Sequence, residues 1–172
     1  MLNGFAFQSK KYVDNGIKVI RITNVQKGSV VDNDPQYYPL ESLPEIKDYM
    51  LSAGDLLLSL TGNVGRVGLL PPSMCPAALN QRVACLRFNE SIVNRTFIFA
   101  TLNMDFFEQA CIASATGTAQ KNMSTEWLKR YRILLPPMDV QNTFATFVEQ
   151  SDKSKLKLQN SLAELSAIKY TH

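Results

Sequence analysis

Clusters of polar side chains mark where this chain could do chemistry. They are Ser9-Lys10-Lys11, Arg21 with Asn24, Thr61-Gly62-Asn63, Arg66, Asn80-Gln81-Arg82 and the run Thr118-Ala119-Gln120-Lys121-Asn122. Arginine, lysine, asparagine and glutamine carry the donors and acceptors that read base edges in the major groove. Serine, threonine, lysine and main-chain N–H groups hold phosphates. Ser9, Lys10, Lys11, Arg21, Asn24, Thr61, Asn63, Arg66, Gln81, Arg82, Thr118, Gln120, Lys121 and Asn122 are therefore the candidate nucleic-acid contacts. Taken singly, each cluster is explained as well by an Asx turn, a cap or a solvated loop.

Catalysis finds less to work with. The one histidine, His172, is the last residue, which removes Ser-His and Cys-His nucleophile pairs and His-rich metal sites from the fold. Gly62, Gly65 and Gly68 follow neither the dinucleotide fingerprint nor the phosphate-loop spacing, and read better as strand bends. Carboxylate pairs stay open, because sequence does not show spatial proximity. No metal or cofactor is expected. Cys75, Cys85 and Cys111 are odd in number and unclustered, which suits reduced thiols in a cytoplasmic protein, most simply as core residues.

The elements that would position these clusters follow from the surrounding pattern. At 172 residues the chain suits one domain with an appendage, and a chain of that size buries roughly 70% of its unfolded surface. Apolar runs such as Leu56-Leu57-Leu58 are too short to span a bilayer, so no membrane association is expected. The net charge of +3 says little, but its distribution says more. Residues 8–27 hold Lys10, Lys11, Lys18, Arg21 and Lys27 against Asp14 alone, whereas residues 28–55 are acidic and residues 56–89 carry only Arg66, Arg82 and Arg87. Basic segments split by an acidic one could present a basic face to a polyanion, or simply a mixed solvated surface.

Strands are expected over 18–22, 29–31, 56–60, 82–88 and 131–135, with residues 61–70 reading as a turn into another strand. Residues 32–44, with Pro35, Pro39 and Pro44, read as irregular, and 46–51 as one or two helical turns. Asn94 suits the N-cap of one helix running through Phe97, Phe99 and Leu102 past Phe106, Phe107 and Ala110. Trp127 and Leu128 should pack beside it.

After Pro136-Pro137 the texture changes, with no glycine or proline from Asp139 to Tyr170. Asp139 suits an N-cap, and a helix over 140–170 would be roughly 46 Å long at the standard rise. Phe144, Val148, Leu158, Leu162 and Leu165 fall on one alternating three-and-four grid, with Ser151 and Lys155 at the intermediate positions. That is a heptad seam, with Lys155 placed to set register or partner choice. The fold class expected is thus mixed α+β: a body over 1–138 with a curved, mainly antiparallel sheet and flanking helices, then a long coiled-coil helix over 139–172.

Together these pieces resemble the DNA specificity subunit of type I restriction-modification systems. The matching residues are Asn3-Gly4-Phe5-Ala6-Phe7-Gln8-Ser9-Lys10-Lys11-Tyr12, Gly16-Ile17-Lys18-Val19-Ile20-Arg21-Ile22-Thr23-Asn24-Val25 and Gly54-Asp55-Leu56-Leu57-Leu58-Ser59. They continue with Thr61-Gly62-Asn63-Val64-Gly65, Asn80-Gln81-Arg82-Val83, Gly117-Thr118-Ala119-Gln120-Lys121-Asn122-Met123-Ser124 and Leu135-Pro136-Pro137 with Gln141. The resemblance implies a target-recognition domain that contacts one half of a split double-stranded DNA site, followed by a spacer helix. It also implies a non-catalytic subunit that brings DNA to methyltransferase and restriction subunits. In that family the unit usually occurs twice, with the two helices antiparallel; here one unit is present, and it begins later than usual. A half-subunit that dimerises through its C-terminal helix, or pairs with a second specificity unit, is the leading expectation. A protein-interaction adaptor, a small carboxylate enzyme and a truncated, non-functional fragment are the competing ones.

Overall fold

The computed structural model describes residues 1–117 and 120–169, with side chains to residue 163. Two compact units result: Met1–Phe88 with Phe99–Ile133, and Asn89–Ile98 with the segment from Leu134 onward.

The first unit is built on short strands. β1 (Leu2–Asn3), β2 (Ile17–Ile20), β3 (Val25–Gln26), β4 (Ser29–Val30), β5 (Tyr37–Tyr38), β6 (Met50–Leu51), β7 (Leu56–Ser59), β8 (Val67–Leu69), β9 (Ala77–Leu79) and β10 (Val83–Leu86) form two four-stranded sheets and a hairpin, with the short helix α1 (Leu43–Ile46) between β5 and β6. One sheet is antiparallel throughout, ordered β1-β10-β7-β8. The other runs β5-β2-β9-β6, with β2 and β9 parallel, and β3 pairs with β4. The mainly antiparallel, mixed α/β expectation therefore holds, distributed over two sheets.

The side-chain period of two explains why β2 is buried on both faces. Ile20 faces a core with Val25, Leu57, Leu70, Leu79 and Val83, while Ile17 and Val19 face a second cluster with Tyr38, Ile46 and Ala78. Lys18 also points inward, 8% exposed, and is retained by Asp32 at 2.5 Å and by the Tyr37 ring, whose centroid is 5.6 Å away. A buried ammonium with neither partner would be costly. Asp55 repeats the device: Arg87 binds it through Nε and Nη2 at 3.0 and 2.7 Å, and the Ser52 N–H donates to it at 2.8 Å. Burial alone would raise the Asp55 carboxyl, but these donors outweigh it and hold the group below the usual carboxylate range. Burial pushes the thiols of Cys85 and Cys111 up to about 12, so both are inert core groups, and Cys75 is half-buried.

Three expectations are corrected. The single helix after Asn94 is two, α2 (Arg95–Leu102) and α3 (Asp105–Ser114), because Met104 is extended at φ −71°, ψ 146° and starts a new helix. Asn94 does cap α2, its Oδ1 accepting from the Phe97 N–H at 3.0 Å. Residues 131–135 form no strand. They follow α4 (Thr125–Arg130) in extended but unpaired backbone, with the Tyr131 ring 5.0 Å from Trp127 and 5.3 Å from Phe107. Proline at 136 and 137 supplies no donor to continue a ladder. Residues 32–44 are less irregular than expected, since Tyr37 and Tyr38 pair with Lys18 and Ile17.

In the second unit, α5 (Met138–Lys169) starts one residue before Asp139, which occupies the first turn, where its charge favours the helix N-terminus. Tyr170 lies outside the described residues. Gln141 is fully buried and acts as a clasp: Oε1 accepts from the Asn94 N–H at 2.8 Å, while Nε2 donates to the Ile92 and Pro136 carbonyls at 3.1 and 2.7 Å. Phe144 is half-buried and packs edge-on against Phe97 at 5.7 Å, so this first seam residue is occupied within its own unit.

Candidate nucleic-acid interface

The link from β7 to β8 is the centre of the polar face. Ser59 ends a run of leucines and is only 1% exposed. Its hydroxyl donates to the Asn63 carbonyl and accepts from the Arg66 N–H at 3.1 Å, and its own N–H donates to the Arg66 carbonyl at 3.0 Å. The turn 60–66 is thus held from beneath. Gly65 lies at φ +85°, and a Cβ there would come within 2.7 Å of the Cys111 Cβ, so α3 seats against bare backbone.

A second segment is stitched to this turn by main-chain bonds. Thr116 and Asn122 exchange N–H···O bonds of 3.0 and 2.9 Å across the glycine-opened loop. The Gly62 N–H donates to the Lys121 carbonyl at 2.8 Å, and the Met123 N–H to the Leu60 carbonyl at 2.8 Å. On its other side, the Leu60 N–H donates to the Arg82 carbonyl at 3.0 Å. The backbones of residues 60–62, 82 and 121–123 are therefore adjacent, although far apart in sequence.

Two concavities flank the Gly62-Asn63 ridge. One, of about 300 Å³, is lined by Ile22, Thr23, Gln26, Asn33, Thr61 and Arg66 as well as the ridge. The other, of about 440 Å³, is lined by Val64, Glu108, Ile112, Gln120 and Lys121 with the ridge. The Arg66 guanidinium lies across the first: Nη1 donates to Gln26 Oε1 at 2.6 Å, and Gln26 is itself tied to the Thr23 carbonyl at 2.9 Å. With its amide oxygen turned to the guanidinium, Asn63 accepts from Nη1 and Nη2 at 3.2 and 3.3 Å.

The sequence-derived candidates divide accordingly. Thr61, Asn63, Arg66, Gln120 and Lys121 line these concavities, and Asn122, exposed, donates to the Gln120 carbonyl at 3.2 Å. Gln81 and Arg82 are exposed beside them in the chain path, with the Arg82 N–H donating to Asn80 Oδ1 at 3.1 Å. Thr118 lies outside the described residues. Arg21 binds Asp34 at 2.8 Å, and that guanidinium, through its hydrogen bond and charge, holds the Asp34 carboxyl below its ordinary value. Asn24 is withdrawn from any contact surface: it is 2% exposed, accepts from the Arg21 N–H at 2.9 Å and donates to the Val31 carbonyl at 3.0 Å. Its role is to shape the loop before β3. Ser9, Lys10 and Lys11 form an exposed 3₁₀ turn that lines neither concavity, with Lys11 4.0 Å from Glu45.

Sequence reasoning passed over Ser59, Thr23, Gln26 and Asn33. Only Ser59 carried a signal, as a hydroxyl inside an apolar strand. Along α5, Val148 is half-buried, Lys155 is exposed, and Leu158 and Leu162 are 67% and 63% exposed, while the side chain of Leu165 lies outside the described residues. Among the described residues no cluster of His, Cys, Asp and Glu could hold a metal ion, and no helix is long and apolar enough to cross a membrane.

The chain thus joins a mixed α/β unit, with polar side chains gathered on its loops, to a long helix. The profile of the type I restriction modification DNA specificity domain matches residues 2–167, and the chain belongs to that family. It is 26% identical to the MjaVIII specificity subunit of Methanocaldococcus jannaschii over 93% of this chain and 42% of that one. It is 29% identical to the EcoBI specificity subunit of Escherichia coli over 91% of this chain and 32% of that one. The S subunit from M. genitalium shares the fold, with a TM-score of 0.64 at 17% identity over 95% of this chain and 39% of that chain. The HsdS subunit from Thermoanaerobacter tengcongensis does so with a TM-score of 0.63 at 17% identity, over 86% and 38% of the two chains. This chain thus spans about two-fifths of the length of the relatives it matches first.

Proposed function

We propose that residues 1–138 recognise one half of a split site in double-stranded DNA, and that the helix beyond sets the distance to a second recognition domain. The chain would act in the cytoplasm as a specificity module without catalysis of its own, delivering DNA to a methyltransferase subunit and through it to restriction subunits. The observation that carries this reading is the convergence of residues 61–66 and 120–122, with Gln26, around two adjoining concavities that share Gly62 and Asn63 and are lined largely by polar side chains. Recognition by loops held on a rigid scaffold needs that arrangement. Lys121, exposed at the rim of its concavity, suits a phosphate. The exposed Leu158 and Leu162 suit a partner helix, supplied by a second copy or another specificity unit.

The test is to pass a randomised duplex pool over the full chain, alone and with methyltransferase subunits, and to sequence what is retained. Enrichment of a split motif supports the reading, and its symmetry reports whether two copies did the reading. Absence of enrichment in both arms overturns it. Lys121→Ala should weaken binding to all sequences alike and lower the salt slope by about 1.

A further inference from the structure

We infer that Arg66 is a specificity-determining residue that reads the major-groove edge of a guanine, with Gln26 and Asn63 as the positioning residues that aim it; this rests on the DNA-recognition reading above. The basic groups Lys18, Arg21, Lys27, Arg87, Arg95 and Lys129 each face a carboxylate, at Asp32, Asp34, Asp105 with Glu108, Asp55, Glu90 and Glu126. Arg66 does not. Its partners are neutral amide oxygens, which orient the guanidinium and leave its charge uncompensated.

The donor count then says which edge is left. A guanidinium has five N–H groups in a fixed plane. Gln26 Oε1 takes one from Nη1, and Asn63 Oδ1 takes the remaining Nη1 hydrogen together with one from Nη2. What remains is Nε–H and the second Nη2–H, which are parallel and point the same way. That pair matches two adjacent acceptors in one plane, the O6 and N7 of guanine. A point contact with a phosphate would need only charge, and the exposed Lys121 already offers that. Two amides orienting a half-buried fork in the lining of a concavity of about 300 Å³ specify direction as well.

The experiment uses the full chain and the duplex motif that the wild type retains. Arg66→Lys keeps the charge and loses the fork. It should flatten the preference at one guanine by about 5- to 150-fold, the range a good bidentate pair provides, with the salt slope unchanged. Gln26→Leu should give a smaller loss at that same base. A second arm leaves the protein intact and replaces that guanine with 7-deazaguanine, which lacks N7, or with inosine, which keeps O6 and N7. Wild-type binding should fall with the first and hold with the second, and Arg66→Lys should be indifferent to the first.

Uniform weakening across all sequences with a salt slope lower by about 1 would assign Arg66 to a phosphate and overturn the inference. So would an unchanged preference in Arg66→Lys, or indifference of the wild type to 7-deazaguanine at every guanine of the motif. A wild type that enriches no motif overturns the DNA-recognition reading itself, which separates the two failures.

Discussion

The two units hold themselves together by different means. In the first, Leu57, Leu58 and Leu79 are fully buried, and the central strands β2, β7 and β9 are buried along their whole length. In the second, Leu134 is 88% exposed, Phe147 and Leu158 are each 67% exposed, and Leu162 is 63% exposed. What fixes its fold at the start of α5 is one buried amide, Gln141, with the Phe97–Phe144 ring pair beside it. The first unit buries most of its large apolar groups in two cores, leaving Leu40 and Phe106 among the exceptions, whereas the second leaves Phe147, Leu158 and Leu162 exposed along one helix. The contrast assigns cohesion by apolar burial to one unit and cohesion by a buried polar clasp to the other.

The contrast breaks most readily in the core. Leu57→Ala should cost about 2–5 kcal/mol, as a buried leucine truncated to alanine does, read as a lower denaturant midpoint for the first unit. Gln141→Leu should cost about 1–3 kcal/mol, because the part-buried Asn94 N–H and the Ile92 and Pro136 carbonyls lose the fully buried amide that pairs them. Amide hydrogen exchange should show the loss concentrated in 89–98 and the first turns of α5. An outcome in which Leu57→Ala is mild and Gln141→Leu severe would invert the assignment.

Asp55 sharpens the comparison through pH. Its folded pKa lies below the unfolded value of about 3.9, so its stabilising contribution is fully present above that value. The contribution is lost as pH falls through the lower folded pKa. Asp55→Asn should therefore flatten the acid limb of the unfolding curve, and an unaltered acid limb would contradict the role given to Arg87. The smallest effect on folding belongs to Leu158→Asp, within about 0.5 kcal/mol as for other exposed positions. Its effect should be on self-association instead, seen in sedimentation as a shift toward monomer. A wild type that is monomeric at high concentration, with no change in the variant, would remove the helix from that role.

The comparison also explains what could be read from sequence. β2, β7 and β10 were legible because β-branched and leucine-rich runs of strand length are local signals. β9 was not, since Ala77-Ala78-Leu79 has weak strand propensity and becomes a strand by lying between β2 and β6, roughly 60 and 27 residues upstream. The same limit applies at the polar face. The types of Asn63, Arg66 and Lys121 announced them, but Gln26 reaches Arg66 across 40 residues of chain, which no local pattern encodes. Asn24 shows the reverse error: a side chain suited to a base edge is spent on its own loop, as asparagine in turns often is. The helix after Pro137 was legible as a run without glycine or proline, whereas the use of Phe144 inside its own unit depended on Phe97, 47 residues earlier.

The segment 116–123 is fastened to residues 60–62 through main-chain groups: the Gly62 and Met123 N–H donors and the Lys121 and Leu60 carbonyls. Backbone bonds of this kind are indifferent to residue type. Substituting Asn63, Gln120 or Lys121 leaves those fastenings in place, so the surface can acquire a new preference by single replacements without the scaffold being rebuilt. Gly117 is the exception, because at φ +103° a Cβ would meet the Gln120 carbonyl at 2.4 Å. The loop is thus constrained where it turns and open to replacement where it faces outward.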